Sequence, residues 1–197
     1  VRLLVVLVVT LMLAVGSCSP TRVNYAGCTT HWDSNSFPII VSPDSSFTPE
    51  EVRLVRLATT VWNDQVGERV FVVIPGFVQI NRFVEGVEFS HAHLREGLLG
   101  YCPVVYHTSI AGIAGRVWRG KCLLDREAIK GNRYSQVVIH ELGHALGFIH
   151  DEEPISIMYP KIYESKQIFL QKHLDTVRLM MEGTYKGRSI AGLSRCF

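Results

Sequence analysis

The chain has 197 residues, 47% of them hydrophobic, and its 20 Lys and Arg nearly balance 18 Asp and Glu for a formal charge of +2. That length suffices for one domain with a sizeable core, and no internal repeat interrupts it. Near-neutrality excludes the basic surface of a nucleic-acid binder, so no nucleic-acid partner is expected.

Residues 1–18 read as an export signal. Arg2 precedes an apolar run from Leu3 to Val15, shorter than the roughly 20 residues of a membrane-spanning helix, and Gly16 and Ser17 follow. The ending "VGSC" also resembles the bacterial lipobox, which would make Cys18 the lipidated N-terminus and the protein a membrane-anchored lipoprotein. The alternative is an ordinary signal peptide, giving a secreted protein. Residues 19–36 are polar and turn-rich and read as a tether. With Cys18 assigned to lipid, Cys28, Cys102, Cys122 and Cys196 remain as an even set. In an exported chain this suggests two disulfides. Of the three pairings, Cys102–Cys122 with Cys28–Cys196 is favoured.

Residues 37–197 read as a single domain, with an upper part over 37–147 and a lower part over 148–197. "FPIIV" at 37–41 is a β-branched first strand. A helix follows from a strong start: Thr48 as cap, Pro49 in the first turn and Glu51 completing a capping box. Val52, Val55, Ala58, Thr59, Trp62 and Val66 recur at helical spacing, and Gly67 stops the run. Residues 69–74 and 77–83 predict strands about the turn Pro75-Gly76. Between 86 and 126 only short apolar pieces stand out, at Val104–Tyr106, Gly115–Trp118 and Cys122–Leu124. Residues 135–146 predict a buried helix ended by Gly147. Residues 168–183 predict an amphipathic one, apolar at Leu170, Leu174, Val177 and Met181. The class implied is α+β, a mixed twisted sheet packed on two long helices, followed by a small and largely irregular part with one helix.

The segment "HELGHALGFIHD", 140–151, carries the chemistry. His140 and His144 are one helical turn apart on one face, where two neutral imidazoles can bind one zinc ion. Glu141 lies beside that metal rather than on it, placed to take a proton from the water it activates. His150 cannot reach the site along the helix, so the chain must turn sharply at Gly147. Three protein ligands then leave a position open, the arrangement of a catalytic site. A bare HExxH occurs by chance, and a histidine on an apolar helix is more often a satisfied core residue. Three imidazoles and a carboxylate in apolar surroundings, however, all need partners, and a metal supplies one.

With Met158 in "SIMYP", this pattern resembles the signature of the metzincin zinc metallopeptidases. "LGYCP" and the order of the surrounding elements resemble the matrixin catalytic domain. Asp151 after the third histidine is the adamalysin-like choice, where matrixins usually carry serine. The resemblance implies a zinc endopeptidase acting on protein or peptide substrates through metal-activated water, with Glu141 as general base. It also implies a Met-turn at Met158 supporting the site and a specificity pocket walled by Pro160, Lys161, Ile162 and Tyr163. The substrate would add itself to a sheet edge, expected within Gly115–Trp118. The tyrosine that some metzincins place two after the methionine is replaced here by Pro160, so no tyrosine oxyanion donor is expected. A second, structural zinc through His91, His93 and His107 is not expected, nor are calcium loops. The rival reading is a surface lipoprotein that keeps this fold to bind zinc or peptide without turnover.

Overall fold

The computed structural model describes residues 29–76, 85–108, 114–130, 133–162 and 167–184. The expected signal segment, Cys18, the Cys28–Cys196 pairing, the strand over 77–83 and Tyr163 lie outside these residues.

In chain order the elements are β1 (Thr29–His31), a 3-10 turn (Ser34–Ser36), β2 (Ile39–Pro43), α1 (Pro49–Val66), β3 (Phe71–Val73), β4 (Gly86–His91), β5 (Gly100–Tyr101), β6 (Val104–Thr108), β7 (Ala114–Leu124), α2 (Tyr134–Ala145) and α3 (Gln171–Met181). They build the expected α+β arrangement. The sheet runs β1-β7-β4-β2-β3 with all these neighbours parallel, while β5 and β6 pair antiparallel with β7 on its other side. Of the parallel strands, β2 and β3 are apolar over Ile39–Val41 and Phe71–Val73, while β4 and β7 carry polar and charged residues within the ladder.

Helix α1 begins as its sequence requires. The Thr48 side chain accepts from the Glu51 amide, the Glu51 carboxylate accepts from the Thr48 amide, and Gly67 closes the helix at φ +85°. Val55, Ala58, Thr59, Trp62 and Val66 are buried, with Val52 packed against the core from its edge.

Four expectations change. Residues 29–36 are folded rather than a tether: β1 pairs with Ala114–Arg116, and Trp32 is fully buried. The indole drives this, since burying an aromatic of that size outweighs the polar character of its neighbours. The apolar pieces at 115–118 and 122–124 are one strand, because Arg119, Gly120 and Lys121 continue the ladder. At Gly120 a Cβ would lie 3.3 Å from Val87 Cγ2 and 3.7 Å from Ala145 Cβ, so the missing side chain admits α2 against the sheet. Gly115 to Trp118 is therefore interior, bounded by β1 and β6, and is not the edge expected for substrate. The edge on that side belongs to β5 and β6. Helix α3 starts at Gln171 rather than 168, because Ile168 bridges to Ser156 and its carbonyl accepts from the Ile157 amide at 2.8 Å.

Cys102 and Cys122 form a disulfide that ties the loop after β5 to β7, the pairing the sequence favours.

Candidate metal centre

Helix α2 is buried along almost its whole length, and two tryptophans hold it. Trp62 Nε1 donates to Ile139 O at 3.0 Å, beside His140, and Trp32 Nε1 donates to Ala145 O at 2.7 Å, beside His144. The second bond satisfies a carbonyl that the end of a helix would otherwise leave orphaned. Gly147, at φ +98°, then turns the chain out of the helix. The Gly147 and Phe148 amides close back on His144 and Gly143 carbonyls at 2.9 and 3.0 Å, and His150 returns to the first two rings.

The result is a three-nitrogen cluster. His150 Nε2 stands 3.2 Å from His140 Nε2 and 3.1 Å from His144 Nε2. The edge of a tetrahedron with metal–nitrogen bonds of about 2.0 Å is about 3.3 Å, so the spacing fits one zinc ion. The other ring nitrogens fix the tautomers: His140 Nδ1–H donates to Ile157 O at 2.7 Å and His144 Nδ1–H to Phe148 O at 2.8 Å. Each Nε2 therefore keeps its lone pair for the metal. Burial pushes the His140 imidazolium down to about 4, His144 well below its ordinary value, and His150 below its ordinary value. All three are neutral near pH 7, as ligands must be. Among the described residues this is the only cluster of its kind.

Glu141 is 4% exposed, and burial lifts its carboxyl to about 8. Its Oε2 is enclosed without a hydrogen-bond partner among the described residues. Such an orphan in an otherwise satisfied helix marks a group waiting for water, substrate or a cation. A neighbouring divalent cation reverses the effect of burial, because it favours the charged form.

The floor is built by residues 156–158. Met158 is fully buried, and a Cβ on Gly143 would overlap its Sδ, so helix and methionine meet at closest approach. Asp151 locks this floor in place, a role that its sequence position does not disclose. Its amide donates to Met158 O at 2.8 Å, and its carboxylate accepts from Ser156 Oγ at 3.0 Å, His173 Nε2 at 2.8 Å and Lys172 Nζ. Ser156 Oγ in turn accepts from the Met158 amide at 3.1 Å. Burial pushes the Asp151 carboxyl up, but the bonds from Lys172 and Ser156 hold it below the usual range.

A cleft of about 310 Å³ opens over the histidines, lined by Gly97–Tyr101, by Arg133 at the N-cap of α2 with Val137 and Glu141 on that helix, and by Pro160–Ile162. Pro160, Lys161 and Ile162, expected as a specificity wall, line this cleft. Leu98, Gly100, Tyr101 and Arg133 escape sequence reasoning, since nothing in their local pattern marks a cleft. The other histidines behave differently. His91 is held by Ser46 Oγ at its Nδ1 and Tyr134 OH at its Nε2, both at 2.9 Å, and stacks on Phe47. The His93 side chain is 80% exposed, 3.9 Å from Glu127.

Residues 39–179 match the family model for Matrixin. No curated protein matches the chain in sequence. Among solved structures, the chain is similar to high choriolytic enzyme 1, a hatching-enzyme zinc protease from the medaka fish Oryzias latipes. The identity is 16% and the TM-score 0.36, over 61% of this chain and 50% of that one. The chain thus spans about half the length of that protein.

Proposed function

This chain belongs to the matrixin family of metzincin zinc proteases, and from that premise we propose that it is a zinc endopeptidase with Glu141 as its general base. The observation that carries the reading is the convergence of three Nε2 atoms, those of His140 and His144 with their tautomers fixed, beside a buried carboxylate whose Oε2 has no other partner among the described residues. His140, His144 and His150 would hold a zinc ion, which when bound would polarise the scissile carbonyl and lower the pKa of water to about 7. Glu141 takes the proton of the attacking water and returns it to the leaving amine, helped by enclosure that keeps bulk water from competing. Gly147 lets His150 reach the metal, and Met158 with Asp151 keeps the ligand-bearing segments in register.

The substrate lies extended along Leu98–Tyr101, the rim that includes β5, with backbone pairing for affinity and side-chain pockets for choice. The main pocket is walled by Pro160, Lys161 and Ile162. One zinc per chain is expected, since both ring nitrogens of His91 already have protein partners. The apolar run before Cys18, the lipobox-like "VGSC" and the Cys102–Cys122 disulfide support export, with anchoring through lipid on Cys18. The described residues before 148, from Thr29 on, and those from 148 to 184 act as the two walls of one peptidase domain.

The test is hydrolysis of an unstructured protein substrate by zinc-loaded protein, with and without chelator, alongside Glu141→Ala. Activity should vanish on chelation, return with zinc, and fall about 10²–10⁴-fold in the variant, which still holds zinc. A wild type that binds stoichiometric zinc and cleaves nothing would favour the rival, a surface protein that binds peptide without turnover.

A further inference from the structure

The start of β5 meets the candidate base at closer range than a side chain would allow. A Cβ on Gly100 would overlap Glu141 Oε1 and lie 2.6 Å from its Cδ and 2.8 Å from its Cγ. Ordinary contacts between carbon atoms are about 3.5–4 Å. Gly100 has no positive φ, so its backbone would accept alanine, and the glycine is needed for room alone. Neither backbone is free to retreat. Gly100 and Tyr101 pair with Leu124 and Leu123 of β7, the Asp125 amide donates to Leu99 O at 3.0 Å, and the Cys102–Cys122 disulfide fastens the chain just beyond. On the other side, the bonds from Trp62 to Ile139 O and from Trp32 to Ala145 O hold α2 to either side of Glu141. The Glu141 carboxylate therefore rests against the bare Cα of Gly100, with its Oε2 enclosed and without a hydrogen-bond partner among the described residues.

Resting on the protease reading above, we infer that Gly100 is a positioning residue for the reaction: its missing side chain forms the seat of the Glu141 carboxylate and sets where the general base stands beside the metal site. A methyl group there must push the carboxylate by roughly 1 Å to regain ordinary contact. What moves is the end of one side chain rather than the packed core, so the fold tolerates the change and the reaction does not. Proton transfer needs the base within about 2.6–3.2 Å of the water it deprotonates. A misplacement of about 1 Å can cost about 10²-fold in rate. The methyl points at Glu141 rather than along the rim, so peptide binding changes little.

The test compares zinc-loaded wild type and Gly100→Ala on one quenched fluorescent peptide. In the variant kcat should fall about 10–100-fold, with KM within about twofold and stoichiometric zinc retained. In a Glu141→Ala background the same substitution should add no further loss, because the group it displaces is gone. An unchanged kcat, an equal loss in both backgrounds, or a loss of zinc from Gly100→Ala overturns the inference. A readout without turnover is the carboxyl carbon NMR signal of Glu141 in glutamate-labelled, zinc-loaded protein, identified by its absence in Glu141→Ala. Gly100→Ala should shift that signal while the other glutamate signals stay in place. An unmoved signal overturns the inference whether or not the protein cleaves peptide. A shifted signal in a protein whose wild type cleaves nothing keeps Gly100 as the seat of the carboxylate and fails the protease reading alone.

Discussion

Gly143→Ala gives a test whose sign separates two effects. In a helix, replacing glycine by alanine is worth about 1 kcal/mol of added stability, because glycine loses more backbone freedom on folding. Here the new methyl would overlap Met158 Sδ and lie 3.0 Å from its Cε and 3.4 Å from Trp62 Cζ2. Both neighbours are fully buried. Restoring ordinary carbon contacts of about 3.5–4 Å requires the thioether to move by roughly 1 Å in a site with no slack. Overpacking of this kind costs about 1–3 kcal/mol. Taking the upper part of that range and subtracting the helix gain leaves a net loss of about 1–2 kcal/mol, or about 2–8 °C in Tm for a domain of this size. Displacing Met158 also disturbs Ile157, whose carbonyl orients His140, so zinc affinity should fall with stability. Thermal unfolding of the zinc-loaded protein and chelator competition measure the two. In a Met158→Ala background the clash is gone, and the same change should become neutral or stabilising. If Gly143→Ala alone raises Tm, the close contact does not constrain the site and the reasoning fails.

Asp151→Asn should destabilise the protein by about 1–2 kcal/mol at pH 7, by weakening the charged bonds that join the Met-turn to α3. The native Asp151 carboxyl is held below its ordinary value, so its contribution is complete above about pH 4 and is lost as pH falls through the native value. The gap between variant and wild type, followed by denaturant unfolding from pH 7 to 3, should therefore shrink at the acid end; a constant gap would refute the charge-based account. Cys102 and Cys122 enclose a separation of 20 residues, for which loop entropy predicts about 3 kcal/mol. Reduction, or the double alanine variant, should lower the unfolding midpoint accordingly, with zinc retained at low temperature. Trp32→Phe should cost about 1–3 kcal/mol, since it leaves the Ala145 carbonyl buried without its indole donor. An unchanged Tm would mean that residues 29–36 do not brace the zinc helix.

The metal centre is legible in the sequence because its geometry is local. Four residues on a helix put His140 and His144 one turn apart whatever surrounds them, and a glycine at 147 is the residue best suited to turning the chain so soon. The capping box of α1 and the buried stripe through Trp62 are equally local, since they depend on neighbours along one helix. The strands are less so. β7 carries charges and a glycine in its middle because its partners, β4 and Ala145, come from distant parts of the chain, and no periodicity reveals them. For the same reason the sheet edge lies elsewhere than expected: whether a strand is interior depends on which others lie beside it.

By itself, then, the sequence determined which atoms meet the metal and which carboxylate stands next to them, since these follow from helical spacing and one turn. Only the tertiary structure decided what braces them. Trp32 and Trp62 grip α2 from segments 113 and 77 residues away. Asp151 joins the Met-turn to α3 through Lys172 and His173. The cleft over the histidines is lined by three separate stretches, Gly97–Tyr101, α2 and Pro160–Ile162. Such pairings are selected by burial and charge compensation in the folded interior, and a linear pattern carries no record of which distant surfaces will close on one another.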